Sequence, residues 1–95
     1  MIKAKKILVK ADVVIARKTV GCVKMKREDV SSITLKKVIS LVDEIGLIIS
    51  GNRNVFVTDA IPGFNELALW FDFATIFGED WYARADAGEH LHFDF

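Results

Sequence analysis

The amino-acid sequence predicts an α+β fold in a single small domain, and three observations lead to that prediction. Segments with an apolar period of two and segments of helical period follow one another without the regular β-α alternation of a parallel sheet. The chain has 95 residues, a usual length for one domain, and 52% of them are hydrophobic. The predicted order is β-β-α-β-β-α-(α)-β over residues 1–95, with about five strands in a largely antiparallel sheet and two to three helices.

The first two strands are predicted near the N-terminus. Over residues 5–16 apolar side chains recur at every second position, with a bend near residues 11–12. The predicted core face of this segment consists of Ile7, Val9, Ala11, Val13 and Ile15. The alternation returns over residues 19–26, and the short connection at residues 17–18 predicts a hairpin, although it lacks the Gly or Asn of the tightest turns.

A helix is predicted to follow these strands and to end at Gly46. Its apolar stripe has helical spacing and consists of Leu35, Val38, Ile39, Val42 and Ile45. Ser31 or Ser32 is the predicted N-cap. Gly46 is predicted to take the left-handed conformation that commonly ends a helix, with Leu47 packing back onto the last turn.

The C-terminal half begins with a second predicted hairpin, in which residues 47–50 and 54–58 flank a Gly-Asn-Arg-Asn turn. A helix is predicted from Phe64 to Gly78 with Asn65 as its N-cap, although residues 67–73 also alternate and leave a strand open as the alternative. A short helix is predicted over residues 79–87. The last strand is predicted to point Leu91, Phe93 and Phe95 inward and His90, His92 and Asp94 outward.

The zero net charge of the chain conceals a strong separation of charge. Residues 1–48 contain 11 basic and 5 acidic side chains, whereas residues 49–95 contain 2 basic and 8 acidic ones. All aromatic residues lie after residue 55. This pattern predicts a basic patch and an acidic, aromatic-rich patch that could meet a charged partner or another subunit. Nucleic acid is not an expected partner, because the basic half has no aromatic side chains and the pI is about 6.7.

The cysteine content and hydropathy favour a cytoplasmic protein. The single cysteine, Cys22, excludes an internal disulfide bond. The apolar runs near the N-terminus are too short for a signal peptide, and no segment has the length of a membrane span, so no membrane partner is expected.

The aromatic arc of the second helix and the residues after it form the predicted site. Aromatic side chains are enriched at the centres of interfaces, and this arc is wider than one sheet face usually covers. The predicted binding or interface residues are Trp70, Phe73, Phe77, Trp81 and Tyr82. They predict a non-enzymatic interaction protein that forms a homo-oligomer, and a small apolar ligand or a protein partner is the other occupant considered.

Two alternatives remain open at this point. An acidic inhibitor or immunity-type protein would sequester a basic partner through Asp72, Glu79, Asp80, Asp86 and Glu89. A metal-dependent protein would use His90, His92 and Asp94, because alternate residues of a strand share one face. No motif for phosphate binding, dinucleotide binding or nucleophilic catalysis occurs, so no cofactor and no catalytic residue is predicted.

Overall fold

Two β-sheets and three short helices make up the fold, which confirms the α+β prediction. The structure is a computed structural model that describes residues 1–38 and 43–95. In these residues the strands are β1 (Ile2–Lys3), β2 (Lys6–Val9), β3 (Val13–Arg17), β4 (Cys22–Lys26), β5 (Val30–Val38), β6 (Glu44–Gly51), β7 (Val55–Thr58) and β8 (Leu91–Asp94). The helices are α1 (Phe64–Phe71), α2 (Phe73–Ile76) and α3 (Trp81–Asp86), and a 3₁₀ turn spans Arg27–Asp29.

The N-terminal strands β2, β3 and β4 form a three-stranded antiparallel sheet. The predicted strand over residues 5–16 is two strands, because the chain reverses after Val9 and Lys10 donates a backbone hydrogen bond to Val13. This reversal changes the phase of the alternation. The core face therefore carries Val14 and Ala16. The prediction that Ala11, Val13 and Ile15 point into the core is wrong, and Ala11 is exposed in the turn.

The second sheet has five strands in the order β1-β7-β6-β5-β8. Only the β1–β7 pair is parallel among its strands. Side chains that face the core line up in two rows across the sheet, because the strand register places apolar residues opposite one another. The rows are Phe93, Ile33, Ile49 and Val55, and next to them Leu91, Leu35, Leu47 and Val57.

The first predicted helix is wrong, because its described residues belong to β5 and β6. Leu35 lies opposite Leu47 in this antiparallel pair, whereas Ile39 and Val42 of the predicted stripe lie outside the described residues. Gly46 is inside β6 and does not have the positive φ predicted for a helix end. A Cβ atom at this position would lie 2.6 Å from the side chain of Val38, so the glycine makes room on the outer face of the sheet.

The C-terminal half follows the prediction more closely. The hairpin β6–β7 and the helical interpretation of residues 67–73 are confirmed, and so is the short helix after them. The long second helix is divided at Asp72, and its N-cap is Gly63 instead of Asn65. In β8 Leu91 is buried as predicted, but Phe95 lies after the strand and is half exposed.

One hydrophobic core joins the basic and the aromatic halves of the chain. Buried side chains of both sheets and of all three helices belong to a single cluster. Helix α1 packs against β2, and α3 packs against β5 and β6. None of the helices in the described part of the chain has the length and hydropathy needed to cross a bilayer.

Candidate interaction surface

Asp72, which is not a glycine but has a left-handed backbone conformation, shapes the surface on the helical side of the molecule. Its φ is 58°, and its N–H donates to the carbonyls of Ala68 and Leu69 at the end of α1. The left-handed conformation costs an L-residue about 1–2 kcal/mol, so surrounding contacts must hold it. The resulting change of direction turns Phe73 into the core, where only 1% of it is exposed.

An apolar cleft of about 290 Å³ lies beside this break, between α1 and α2 and the start of α3. Its apolar lining consists of Ala68, Leu69, Phe73, Ala74 and Trp81. Asn65 and Asp72 add polar groups to the same lining. The volume of the cleft is just below the range of about 300–1,000 Å³ that is usual for small-molecule pockets. The cleft can therefore hold one or two apolar side chains.

Leu69 is the most unusual residue of the cleft, because 81% of it is exposed to solvent. It lies two positions after Leu67 and two before Phe71, which are both buried, and it therefore projects from the opposite side of α1. Burying an exposed leucine contributes about 1.5–3 kcal/mol. Covering an exposed leucine next to an open apolar cleft is therefore energetically favourable.

Phe73 and Phe77, two of the predicted interface residues, are buried in the core. The ring centroid of Phe73 lies 5.4 Å from that of Phe77 and 5.1 Å from that of Trp81. Trp81 is half-buried and lines the cleft together with one side of Phe73. Of these three residues, Trp81 therefore offers the most surface to a partner.

Trp70, another predicted residue, lies outside the cleft and connects α1 to the three-stranded sheet. Its indole N–H donates to the carbonyl of Ala11 at 3.3 Å. Its own carbonyl accepts a hydrogen bond of 2.7 Å from Arg27, whose guanidinium carbon lies 5.0 Å from the Trp70 ring centroid. A cation over an indole ring at this distance is a favourable contact, so Trp70 has a structural role.

Tyr82, the last predicted aromatic residue, is 47% exposed and links α3 to the five-stranded sheet. Its hydroxyl donates to Asp59 Oδ2 at 2.7 Å, and Asp59 Oδ1 accepts from the backbone N–H of Ile45 at 3.1 Å. The hydrogen bond to Asp59 raises the pKa of Tyr82, and burial and the negative charges of Asp59 and Asp86 raise it further. The phenol therefore stays protonated as a donor.

His92 and Asp94 lie on the outer face of β8, as predicted, and His90 is exposed immediately before this strand. His92 Nδ1 lies 2.7 Å from the Thr34 hydroxyl, and its Nε2 lies 2.8 Å from Asp94. Both ring nitrogens are thus occupied by neighbours in the sheet, and no group of three metal ligands occurs in residues 1–38 and 43–95. We interpret this chain of contacts as cross-strand pairing on an exposed sheet face.

The acidic residues considered for a basic partner are partly neutralised by two cations of the chain. Arg84 lies 2.9 Å from Glu89 and 3.8 Å from Asp80. Lys37 lies 3.8 Å from Asp86. The remaining two predicted residues, Asp72 and Glu79, are exposed, and Asp72 lines the apolar cleft.

Leu69 is exposed at the cleft but is not among the predicted site residues. A leucine two positions from each of two buried apolar residues falls on the far side of a helix, and this spacing is the signal that could have identified it. Comparisons of the chain with protein families, with curated proteins and with solved structures found no match.

Proposed function

We propose that the protein is a small, non-enzymatic interaction protein that forms a homodimer through the cleft between α1, α2 and α3. The observation that carries the proposal is the position of Leu69, a fully projecting apolar side chain, at an open apolar cleft of the same surface. In a twofold dimer Leu69 of each subunit would enter the cleft of the other. Such an arrangement uses one patch twice, as the symmetry of most homodimers requires.

Polar groups of the cleft fit the same arrangement. Asn65 has an amide donor and Asp72 has a carboxylate acceptor, and both line the cleft. Across a twofold axis the amide of one subunit can donate to the carboxylate of the other, which would fix the orientation of the two copies. The exposed, half-apolar surface of Tyr82 on α3 supplies further contact area near Trp81.

The size of the molecule sets how much surface the dimer must cover. Stable interfaces bury about 800 Å² per partner, which is roughly one seventh of the 5676 Å² of accessible surface of this chain. The lining of the cleft exposes less surface than this, so the flanking turns of α1 and α3 must contribute to the interface. We therefore expect a dimer whose population depends on protein concentration.

Light scattering over a wide concentration range, with native mass spectrometry, tests the proposal. We expect a dimer for the unmodified chain and a monomer for Leu69→Glu, because the substitution places a charge where an apolar group would be buried. Val20→Glu is the matched control, since Val20 is 82% exposed but lies in the β3–β4 turn of the other sheet. Both variants should retain the far-ultraviolet circular dichroism of the unmodified chain.

The outcomes separate the proposed dimer from the alternatives. A chain that stays monomeric at its highest soluble concentration contradicts the dimer, and a small molecule retained in its mass spectrum would favour an apolar ligand as the occupant of the cleft. Equal loss of the dimer in both variants would place the interface elsewhere. The acidic inhibitor is less well supported, because Arg84 and Lys37 pair with three of its five acidic residues.

A further inference from the structure

The second surface of interest is an open cavity of about 420 Å³ at one end of the three-stranded sheet. Four cationic side chains line it, together with a hydroxyl and a thiol. These residues are Lys5, Lys6, Arg17, Lys18, Thr19 and Cys22. The lining contains no carboxylate, and the sole acidic residue of the first 27 positions of the chain is Asp12.

The strand register explains why the cations meet at this place. Lys6, Arg17 and Cys22 lie opposite one another across β2, β3 and β4 and therefore form one row on the outer face of the sheet. The backbone N–H of Lys5 donates to the carbonyl of Arg17 at 2.7 Å, and that of Lys18 donates to Gly21 at 3.0 Å. These bonds hold the strand end and the turn that close the cavity.

Among the described residues, no carboxylate lies within ion-pair distance of the four cations. The ion pairs found within residues 1–38 and 43–95 involve Lys37, Arg84 and His92, and none includes a residue of the cavity. Concave surfaces lined by charges of one sign concentrate counter-ions of the opposite sign. The cavity is therefore a place where an anion would be bound by several charges at once.

We propose that this cavity binds a phosphate group, either of a phosphorylated small molecule or of a lipid headgroup. Arg17 provides a planar guanidinium that can donate two parallel hydrogen bonds to phosphate oxygens, and the three lysines provide point charges around it. The Thr19 hydroxyl adds a neutral donor. The proposal is independent of the dimer, because the cavity and the apolar cleft have no residue in common.

A long polyanion such as a nucleic acid fits the sheet less well than a single phosphate group. Next to the cavity the outer face carries the apolar side chains Leu8 and Ile15 on β2 and β3, so the cations Lys24 and Lys26 of β4 offer a polyanion only one path along the sheet edge. The first 55 residues also contain no aromatic side chain on which a base could stack.

Cys22 offers a direct test, because it is the only cysteine of the chain, is exposed and lines the cavity. The rate of its alkylation by uncharged iodoacetamide is measured with increasing pyrophosphate, and with potassium chloride of matched ionic strength as the control. We expect pyrophosphate to slow the reaction in a saturable way and chloride to leave it nearly unchanged. The concentration that gives half of the protection reports the affinity.

Three variants locate the binding. Lys6→Ala should weaken pyrophosphate protection about tenfold, as expected for the loss of one charge-assisted hydrogen bond, and Arg17→Ala should weaken it at least as much, because its guanidinium can donate two such bonds. Lys24→Ala, the matched control, removes the same charge from the same sheet face but from a residue that does not line the cavity, and it should weaken protection clearly less than Lys6→Ala, because its ammonium makes no direct contact with the phosphate. All three side chains are exposed, so the variants are expected to fold.

Sedimentation with lipid vesicles identifies the source of the phosphate. Binding to vesicles of phosphatidylcholine with phosphatidic acid, but not to phosphatidylcholine alone, supports a headgroup, whereas protection by pyrophosphate without vesicle binding supports a soluble phosphorylated molecule. The proposal is overturned if pyrophosphate gives no protection beyond that of chloride. It is also overturned if Lys24→Ala weakens binding as much as Arg17→Ala. A single-stranded oligonucleotide that binds more tightly than pyrophosphate, and whose binding depends equally on Lys24 and Arg17, would overturn it as well.

Discussion

The substitution Gly63→Ala is expected to destabilise the fold, because Gly63 joins the three-stranded sheet to α1, the helix that carries the cleft. Gly63 has φ 95° and precedes α1, and a Cβ atom there would lie 2.1 Å from the backbone carbonyl oxygen of Ile7 in β2. The same junction contains a hydrogen bond of 2.8 Å from the Ile7 N–H to the carbonyl of Pro62. An alanine therefore introduces backbone strain and forces β2 away from the turn.

The size of the effect can be worked out by comparison with Gly88. Gly88 has φ 100°, but a Cβ atom there would meet no atom within 4 Å. Gly88→Ala should thus show only the strain of the left-handed conformation. Because alanine also lowers the entropy of the unfolded chain, which partly offsets this strain, the free energy of unfolding should fall by about 1 kcal/mol. Gly63→Ala adds the lost hydrogen bond and the displaced strand, for a total of about 2–3 kcal/mol.

Urea denaturation of both variants at one protein concentration measures this difference, and thermal denaturation checks it. One kcal/mol shifts the midpoint of a domain of this size by about 4–8 °C, so Gly63→Ala should melt about 5–15 °C below Gly88→Ala. Equal free energies of unfolding for the two variants would refute the reasoning. That result would show that β2 and the turn before α1 can separate without a measurable cost.

Two further substitutions test contacts of the predicted aromatic residues. Arg27→Ala should lower the free energy of unfolding by about 1 kcal/mol, because it removes the contact with the Trp70 ring and the hydrogen bond to the Trp70 carbonyl. The control Arg53→Ala, in the exposed β6–β7 turn, should have almost no effect in the same urea titration. Because the hydrogen bond to Asp59 raises the pKa of Tyr82, this tyrosine stabilises the fold below its ordinary pKa of about 10 and loses that contribution as the pH rises through its folded pKa. Tyr82→Phe should therefore flatten the alkaline decline in stability, and an unchanged decline would mean that another group causes it.

The error over residues 31–46 has a physical reason. Leu35, Val38 and Ile45 match a helical stripe, but the pair Ile33 and Leu35 also matches the period of two that β5 adopts. Periodicity alone does not decide between these structures when many positions are apolar. Pairing with β6 on one side and with β8 on the other decides it, and β8 lies more than 50 residues later in the chain.

The aromatic half could be predicted as helical because its turn residues are local signals. Pro62 and Gly63 mark the start of α1, and Gly78 follows the last turn of α2. The left-handed conformation of Asp72 has no such signal, because aspartate is common in ordinary helical and turn positions as well. Without knowledge of that break the sequence could not show that Phe73 would be buried.

The separation of charge along the chain does not correspond to separate folding units. The Trp70 indole donates to Ala11, and its carbonyl accepts from Arg27, so the aromatic helix α1 is attached to the basic sheet at two points. Gly63 brings the start of the same helix against Ile7. Each half can therefore keep a surface of its own chemistry, an apolar cleft on the helices and a cationic cavity at the sheet end, while the core is shared. Neither proposed surface uses a core side chain of the other half. Leu69→Glu should therefore remove the dimer and keep phosphate binding, whereas Arg17→Ala should weaken phosphate binding and keep the dimer, and neither substitution should unfold the protein.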